Sequence, residues 1–122
     1  MMDDKLTEKI IGLAFEIANS LGCGFLEKVY ENALALELRE NGFNVKQQWP
    51  IEVKYKNQIV GEYIADLLVN DEIIIELKAV KEIADIHKAQ VINYLRATGL
   101  KTGLLFNFGK PKLEFRRFNN KL

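Results

Sequence analysis

The stretch Ala65-Asp66-Leu67-Leu68-Val69-Asn70-Asp71-Glu72-Ile73-Ile74-Ile75-Glu76-Leu77-Lys78 decides how this chain folds. Leu67-Leu68-Val69 and Ile73-Ile74-Ile75 are apolar without alternation, the pattern of strands covered on both faces. Asn70-Asp71-Glu72 supplies turn chemistry between them, so the stretch reads as a hairpin. Three charges sit among these strand positions: Asp66, Glu76 and Lys78. Aspartate is disfavoured in strands. A buried charge costs several kcal/mol unless it is paired or bound to metal. Three of them in two adjacent strands need a shared reason.

Upstream, Ile59 to Val69 forms one long strand and Lys56-Asn57 a turn. Before that, Val45, Gln47, Ile51, Val53 and Tyr55 alternate with polar residues. Trp49-Pro50 interrupts the alternation, and a proline that cannot donate to a ladder predicts a bulge or an edge. Further upstream, Leu6, Ile10, Leu13, Ala14, Ile17 and Leu21 recur every three or four residues, which predicts an amphipathic helix over 5–21. Gly22-Cys23-Gly24 ends it, and a second helix follows from Phe25 to about Asn41, where Asn41-Gly42 caps it. The short connection predicts an antiparallel helix pair. Downstream, a third helix spans Ile83 to Ala97 and closes at Gly99. Thr102 to Asn107 is a further apolar strand, Gly109-Lys110-Pro111 a turn, and Leu113 to Phe118 a last, basic strand. The order ααβββαββ predicts an α/β fold, a sandwich of helices around one mixed central sheet.

At 122 residues, the chain reads as one domain over 1–122. Apolar residues at 48% and charged residues at 28% exclude disorder. No apolar run reaches a membrane span, and Met-Met-Asp-Asp-Lys does not open like a signal peptide. One cysteine, Cys23, cannot form an internal disulfide, and a cytoplasmic location is the expectation. The zero net charge hides an asymmetry. Residues 1–75 hold 7 Lys/Arg against 13 Asp/Glu, a balance of −6, and residues 76–122 hold 10 against 4, a balance of +6. A polyanion would meet the basic half; the plainer reading is two halves that neutralise each other.

Metal-assisted phosphodiester hydrolysis would explain the buried charges. Carboxylates hold a hard divalent cation through oxygen, and the cation polarises the phosphoryl group and activates water. Glu76 and Lys78, two apart on one strand, share a face, so the lysine can orient water or stabilise transition-state charge. The parity of the hairpin loop tests this. Asp66 and Glu76 are direct partners only if the loop is odd, as Asn70-Asp71-Glu72 would be, so an odd loop or a bulge is predicted. A two-residue loop would pair Asp66 with Ile75 and send Glu76 to the other face. The plainer reading of the trio is a salt-bridged patch at a sheet end.

Asp66, followed by Glu76-Leu77-Lys78, resembles the Asp…Glu-x-Lys signature of the PD-(D/E)XK nucleases. The proline of that name is absent, since Ile64-Ala65 precedes Asp66. Gly24-Phe25-Leu26-Glu27-Lys28-Val29-Tyr30 resembles the motif of the GxxExxY protein family within that superfamily. Gln90-Val91-Ile92-Asn93-Tyr94 resembles the Gln-x-x-x-Tyr motif of its exonuclease-like branch. The resemblance spans residues 6 to 118. It implies a restriction-endonuclease-like sandwich and a Mg²⁺- or Mn²⁺-dependent nuclease acting on DNA, less readily on RNA. Glu27, Asp66, Glu76 and the backbone carbonyl of Leu77 would hold the metal. Asp66, Glu76, Lys78 and Gln90 would serve catalysis, with Gln90 holding the lysine or a phosphate. Tyr94 would stack on a base or sugar, and Tyr30 and Glu31, at i+3 and i+4, share the helix face of Glu27, where Tyr30 would contact substrate. The residues themselves add Lys110, Lys112 and Arg116 as a phosphate track, with Arg117 on the alternate strand face. Without the resemblance, Glu27 reads as a first-turn acid favoured by the helix dipole. His87, Cys23 and Trp49 read as a helical histidine, a small loop residue and a core residue. The alternative function is a catalytically silent nuclease-like module that binds nucleic acid or a partner protein. Double-strand cutting needs two sites, which a homodimer would supply.

Overall fold

The structure, a computed structural model, describes residues 2–120. Helices α1 (Met2–Leu21) and α2 (Glu27–Glu40) are followed by strands β1 (Val45–Tyr55), β2 (Gln58–Val69) and β3 (Ile73–Lys78). Helix α3 (Asp85–Thr98) then leads to β4 (Thr102–Asn107) and β5 (Glu114–Asn119). The five strands form one sheet in the order β1-β2-β3-β4-β5. Only β3 and β4 run parallel, joined by the α3 crossover; the other neighbours are antiparallel. This is the ααβββαββ order read from the sequence, around a mixed sheet.

Two apolar layers flank the sheet. On one side Ile10, Leu13, Ala14 and Ile17 of α1 and Leu34, Ala35 and Leu38 of α2 meet Leu67, Val69, Ile73, Ile75, Leu77, Leu104 and Phe106. On the other, Tyr94 and Leu95 of α3 meet Ile51, Ala65, Leu68 and Ile74. The central strands are therefore covered twice. This is why β3 and β4 carry unbroken apolar runs. Gly103 lets α3 approach β4: a Cβ there would lie 2.6 Å from Val91 Cγ1.

The β1–β2 pair runs from Val45↔Val69 to Tyr55↔Gln58 and turns at Lys56-Asn57, both at positive φ. Beyond Ala65 most of β2 is exposed, so this pair projects from the body as an arm. Pro50 lies on β1, an edge strand, where a missing donor costs no ladder bond. The register shift falls at Val53/Lys54, and the conformational break falls at Gln48, with φ +55. Val45 and Gln47 face α2, while Trp49 and Ile51 pack on the α3 side. β2 makes the same switch opposite Gln48: Leu67 and Val69 belong to the first layer, Ala65 to the second. Asp66 sits at the switch.

Helix α3 starts two residues later than the sequence suggests, because Ala84 is extended (φ −96, ψ 163). Its amide donates to His87 Nδ1 at 2.9 Å, which makes His87 part of the helix start. Gly99 ends the helix at φ +75. No helix among the described residues is long and apolar enough to cross a membrane.

Candidate active site

The β2–β3 loop is odd. Leu67↔Ile75, Leu68↔Ile74 and Val69↔Ile73 leave Asn70, Asp71 and Glu72 outside the ladder, so Asp66 and Glu76 stand opposite each other. Asn70 and Asp71 take φ +53 and +55, and the Glu72 amide closes the turn on the Val69 carbonyl at 3.0 Å. The ladder stops at Leu67↔Ile75. Beyond it β2 follows β1 while β3 follows β4, and the strands part in a fork.

The two acids span that fork. The Asp66 amide donates to Glu76 Oε1 at 2.9 Å, and the Leu77 amide donates to Asp66 Oδ2 at 2.8 Å. Side chains thus take up amides that the ladder abandons, as buried donors require. The N–H and C=O of one strand residue point to the same side, so the Leu77 carbonyl also points into the fork. Lys78 follows on the Glu76 face and borders an open groove between the β1–β2 arm and α3.

Glu76 is only 3% exposed. Burial, then the charge of Asp66, pushes its pKa up to about 8. Asp66 is also raised, first by burial, with Glu31 and Glu27 adding repulsion; the Leu77 amide and Lys78 act against this. The Asp66 carboxyl also acts to raise Glu76, so a protonated Glu76 is favoured beside it near neutral pH. A hard divalent cation fits the same donors, since Asp66, Glu76 and the Leu77 carbonyl all offer oxygen. Among the described residues no three His, Cys, Asp or Glu side chains converge on one point. A cation here would rest on two carboxylates, with backbone carbonyl and water completing its shell.

The other residues singled out by sequence are placed more diversely. Glu27 opens α2 as an exposed acid beside Ala79 and Gly109. Glu31, one turn on, is 3% exposed and acts on Asp66 more strongly than Glu27 does. It accepts bonds from Lys28, Gln47 and Gln48 at 2.7–2.9 Å. The sequence places it on the helix face of Glu27, one turn on, but gives it no role of its own.

Tyr30 is not placed to touch a substrate. It is fully buried, stacks on Phe108 at 4.5 Å, donates to the Gly22 carbonyl at 2.6 Å and accepts from the Phe25 amide at 3.2 Å. Tyr94, 4% exposed, is likewise a brace: its hydroxyl accepts from Gln90 Nε2 at 2.9 Å and points at the Ile64 carbonyl at 3.4 Å. Gln90 borders the groove with Lys78. Lys110 and Lys112 follow β4, whose end lies beside Lys78, whereas Arg116 is on β5, the opposite edge strand from the arm, and pairs with Glu114 at 3.6 Å. Arg117 reaches Asp4 of α1 at 2.6 Å. Cys23 is an exposed free thiol, and Trp49 packs against the α3-side layer while bordering the groove.

A sequence profile of the PD-(D/E)XK nuclease superfamily matches residues 4–118. Among curated proteins, none matches this chain. Two solved structures share its fold. The crystal structure of SSO0001 superposes with a TM-score of 0.61 at 19% identity, over 79% of this chain and 51% of that one. An alkaline exonuclease (LHK-Exo) from Laribacter hongkongensis gives a TM-score of 0.55 at 18% identity, over 77% of this chain and 56% of that one. The chain thus spans about half the length of the solved proteins it resembles.

Proposed function

The chain belongs to the PD-(D/E)XK nuclease superfamily, and on that footing we propose that it is a metal-dependent nuclease hydrolysing phosphodiester bonds of DNA. The observation that carries this reading is the fork, where Asp66 and Glu76 face each other with Lys78 on the adjoining face position. Asp66 and Glu76 would hold Mg²⁺ or Mn²⁺, with the Leu77 carbonyl beside them. Bound there, the ion supplies Lewis-acid polarisation of the phosphoryl group and activation of water. Lys78 places a cation against the charge that builds on the phosphoryl oxygens. Gln90, which donates to the Tyr94 hydroxyl and borders the groove with Lys78, would orient a phosphate or the lysine from the α3 side. The solved alkaline exonuclease with this fold supports nucleic acid as the substrate.

The test is cleavage of labelled single-stranded, double-stranded and branched DNA in Mg²⁺, Mn²⁺ or EDTA. We expect cutting in metal, none in EDTA, and at least a hundredfold loss in Lys78→Ala and Asp66→Ala, the scale of one lost charge-stabilising group. Full activity in both folded variants would reject the assignment. Absence of cutting by the folded wild type, with DNA still bound, would leave a silent binding module.

A further inference from the structure

The groove that Lys78 borders runs away from the fork between α3 and the β1–β2 arm, with a volume of about 1660 Å³. One wall is α3 and the other is the face of the β1–β2 arm that Gln48 turns toward α3. That face carries two aromatic rings held in place from behind. Trp49 packs against the α3-side core, and Tyr63, 53% exposed, leans on Tyr94 with ring centroids 5.8 Å apart. Arg96 borders the groove from α3 and forms no ion pair among the described residues.

We propose that this groove seats an unpaired nucleic-acid strand, its bases laid on Trp49 and Tyr63 and its phosphates on Lys78 and Arg96. The proposal rests on the nuclease reading for its direction: a strand lying there leads to the fork. Single-stranded chemistry is favoured over duplex for two reasons. Ring faces gain only from bases whose own faces are open, which a duplex hides. Duplex binding instead needs a dense array of cations on phosphates, and this groove has few. Glu52 and Glu62, directly opposed in the register, also border the groove. They alternate with Ile51 and Tyr63 along their strands, so the two rings and the two acids leave opposite strand faces, and the acids further disfavour a duplex with its denser phosphates.

Trp49 is the chain's single tryptophan, so its emission reports on this groove alone. The full chain in EDTA, where no cutting competes, is titrated with oligo-dU or oligo-U of about 12 nucleotides, within the site sizes of single-strand binders. A duplex of equal length is run at the same salt. We expect saturable quenching by at least one single strand, about tenfold tighter than by the duplex; the better of the two strands identifies the sugar. Tyr63→Ala should weaken it by about tenfold, the scale of one lost base stack. Arg96→Ala, at an exposed helix position, should lower the salt slope by about one phosphate contact. Duplex binding as tight as single-strand binding overturns the proposal, as does wild-type affinity in both folded variants. Intact strand binding without any metal-dependent cutting would reject the nuclease reading alone; cutting without quenching would reject the groove alone.

Discussion

A buried glutamate that faces an aspartate across a strand fork does not ionise at its ordinary value. For Glu76 the ordinary value is 4.5 and the folded value about 8, so the folded chain holds this proton more tightly than the unfolded chain does. Stability from this group is therefore complete below the ordinary value and is lost as pH rises through about 8. Asp66 is shifted in the same direction and reinforces the trend. Asp4 and Glu114 are lowered instead, by Arg117 and by Asn107, so the stability they add is complete above their ordinary values of 3.8 and 4.5 and is lost only on acidification below them. Thermal melts in EDTA should show Tm falling from about pH 5 to about pH 8, and Glu76→Gln should flatten most of that slope. A wild-type curve without slope, or the same slope in the variant, would show that Glu76 ionises normally. Tyr30 makes a second residue-scale case. Its hydroxyl ties the Gly22 carbonyl to the Phe25 amide, so Tyr30→Phe should cost about 1–2 kcal/mol in a urea melt while the ring keeps its stack on Phe108.

Elements depend on how closely neighbours approach, and Gly103 sets that distance for α3. A methyl at Gly103 meets Val91 Cγ1 at 2.6 Å and Leu95 Cδ1 at 3.4 Å, both buried side chains of α3. Gly103→Ala should cost about 1–3 kcal/mol by overpacking, read as a lower urea midpoint at unchanged slope. Wild-type stability would mean that α3 floats on the sheet. Much of this layer was legible beforehand. The apolar runs at 67–69 and 73–75 announced strands covered twice, and a shared role for Asp66 and Glu76 required an odd loop or a bulge between them, which the three-residue loop supplies. Other features had no local signal. Gln48 adopts a left-handed backbone that switches the faces of both arm strands, and nothing in Gln47-Gln48-Trp49 declares it. Tyr30 and Tyr94 sat in motifs that suggested contact with substrate, but periodicity does not say whether a tyrosine on an apolar helix face spends its hydroxyl inside or outside. Glu31 shared the helix face of Glu27 by periodicity, but its burial and its nearness to Asp66 come only from the fold.

Across the whole molecule, a cation bound at the fork as proposed would couple to proton binding and to global stability. The opposed charges of the two sequence halves play a smaller part here, since Arg117 of β5 already closes on Asp4 of α1. Binding to the folded state alone stabilises it by mass action, about 2.7 kcal/mol when the ligand stands at a hundred times its Kd. For a chain of this size that is a Tm rise on the order of 10 °C. Near neutral pH, however, Glu76 carries the proton that lets it sit beside Asp66. A cation entering the fork must displace that proton, because a ligating carboxylate is deprotonated. Mn²⁺ affinity should therefore climb about tenfold per pH unit below about pH 8 and level off above it. Calorimetric titrations in buffers of different ionisation enthalpy should show close to one proton released per ion at pH 7. Asp66→Asn should abolish both the heat and the Tm rise. An affinity that ignores pH, or binding that survives Asp66→Asn, would mean that the ion sits elsewhere and that the fork is a proton-bridged pair with a structural role.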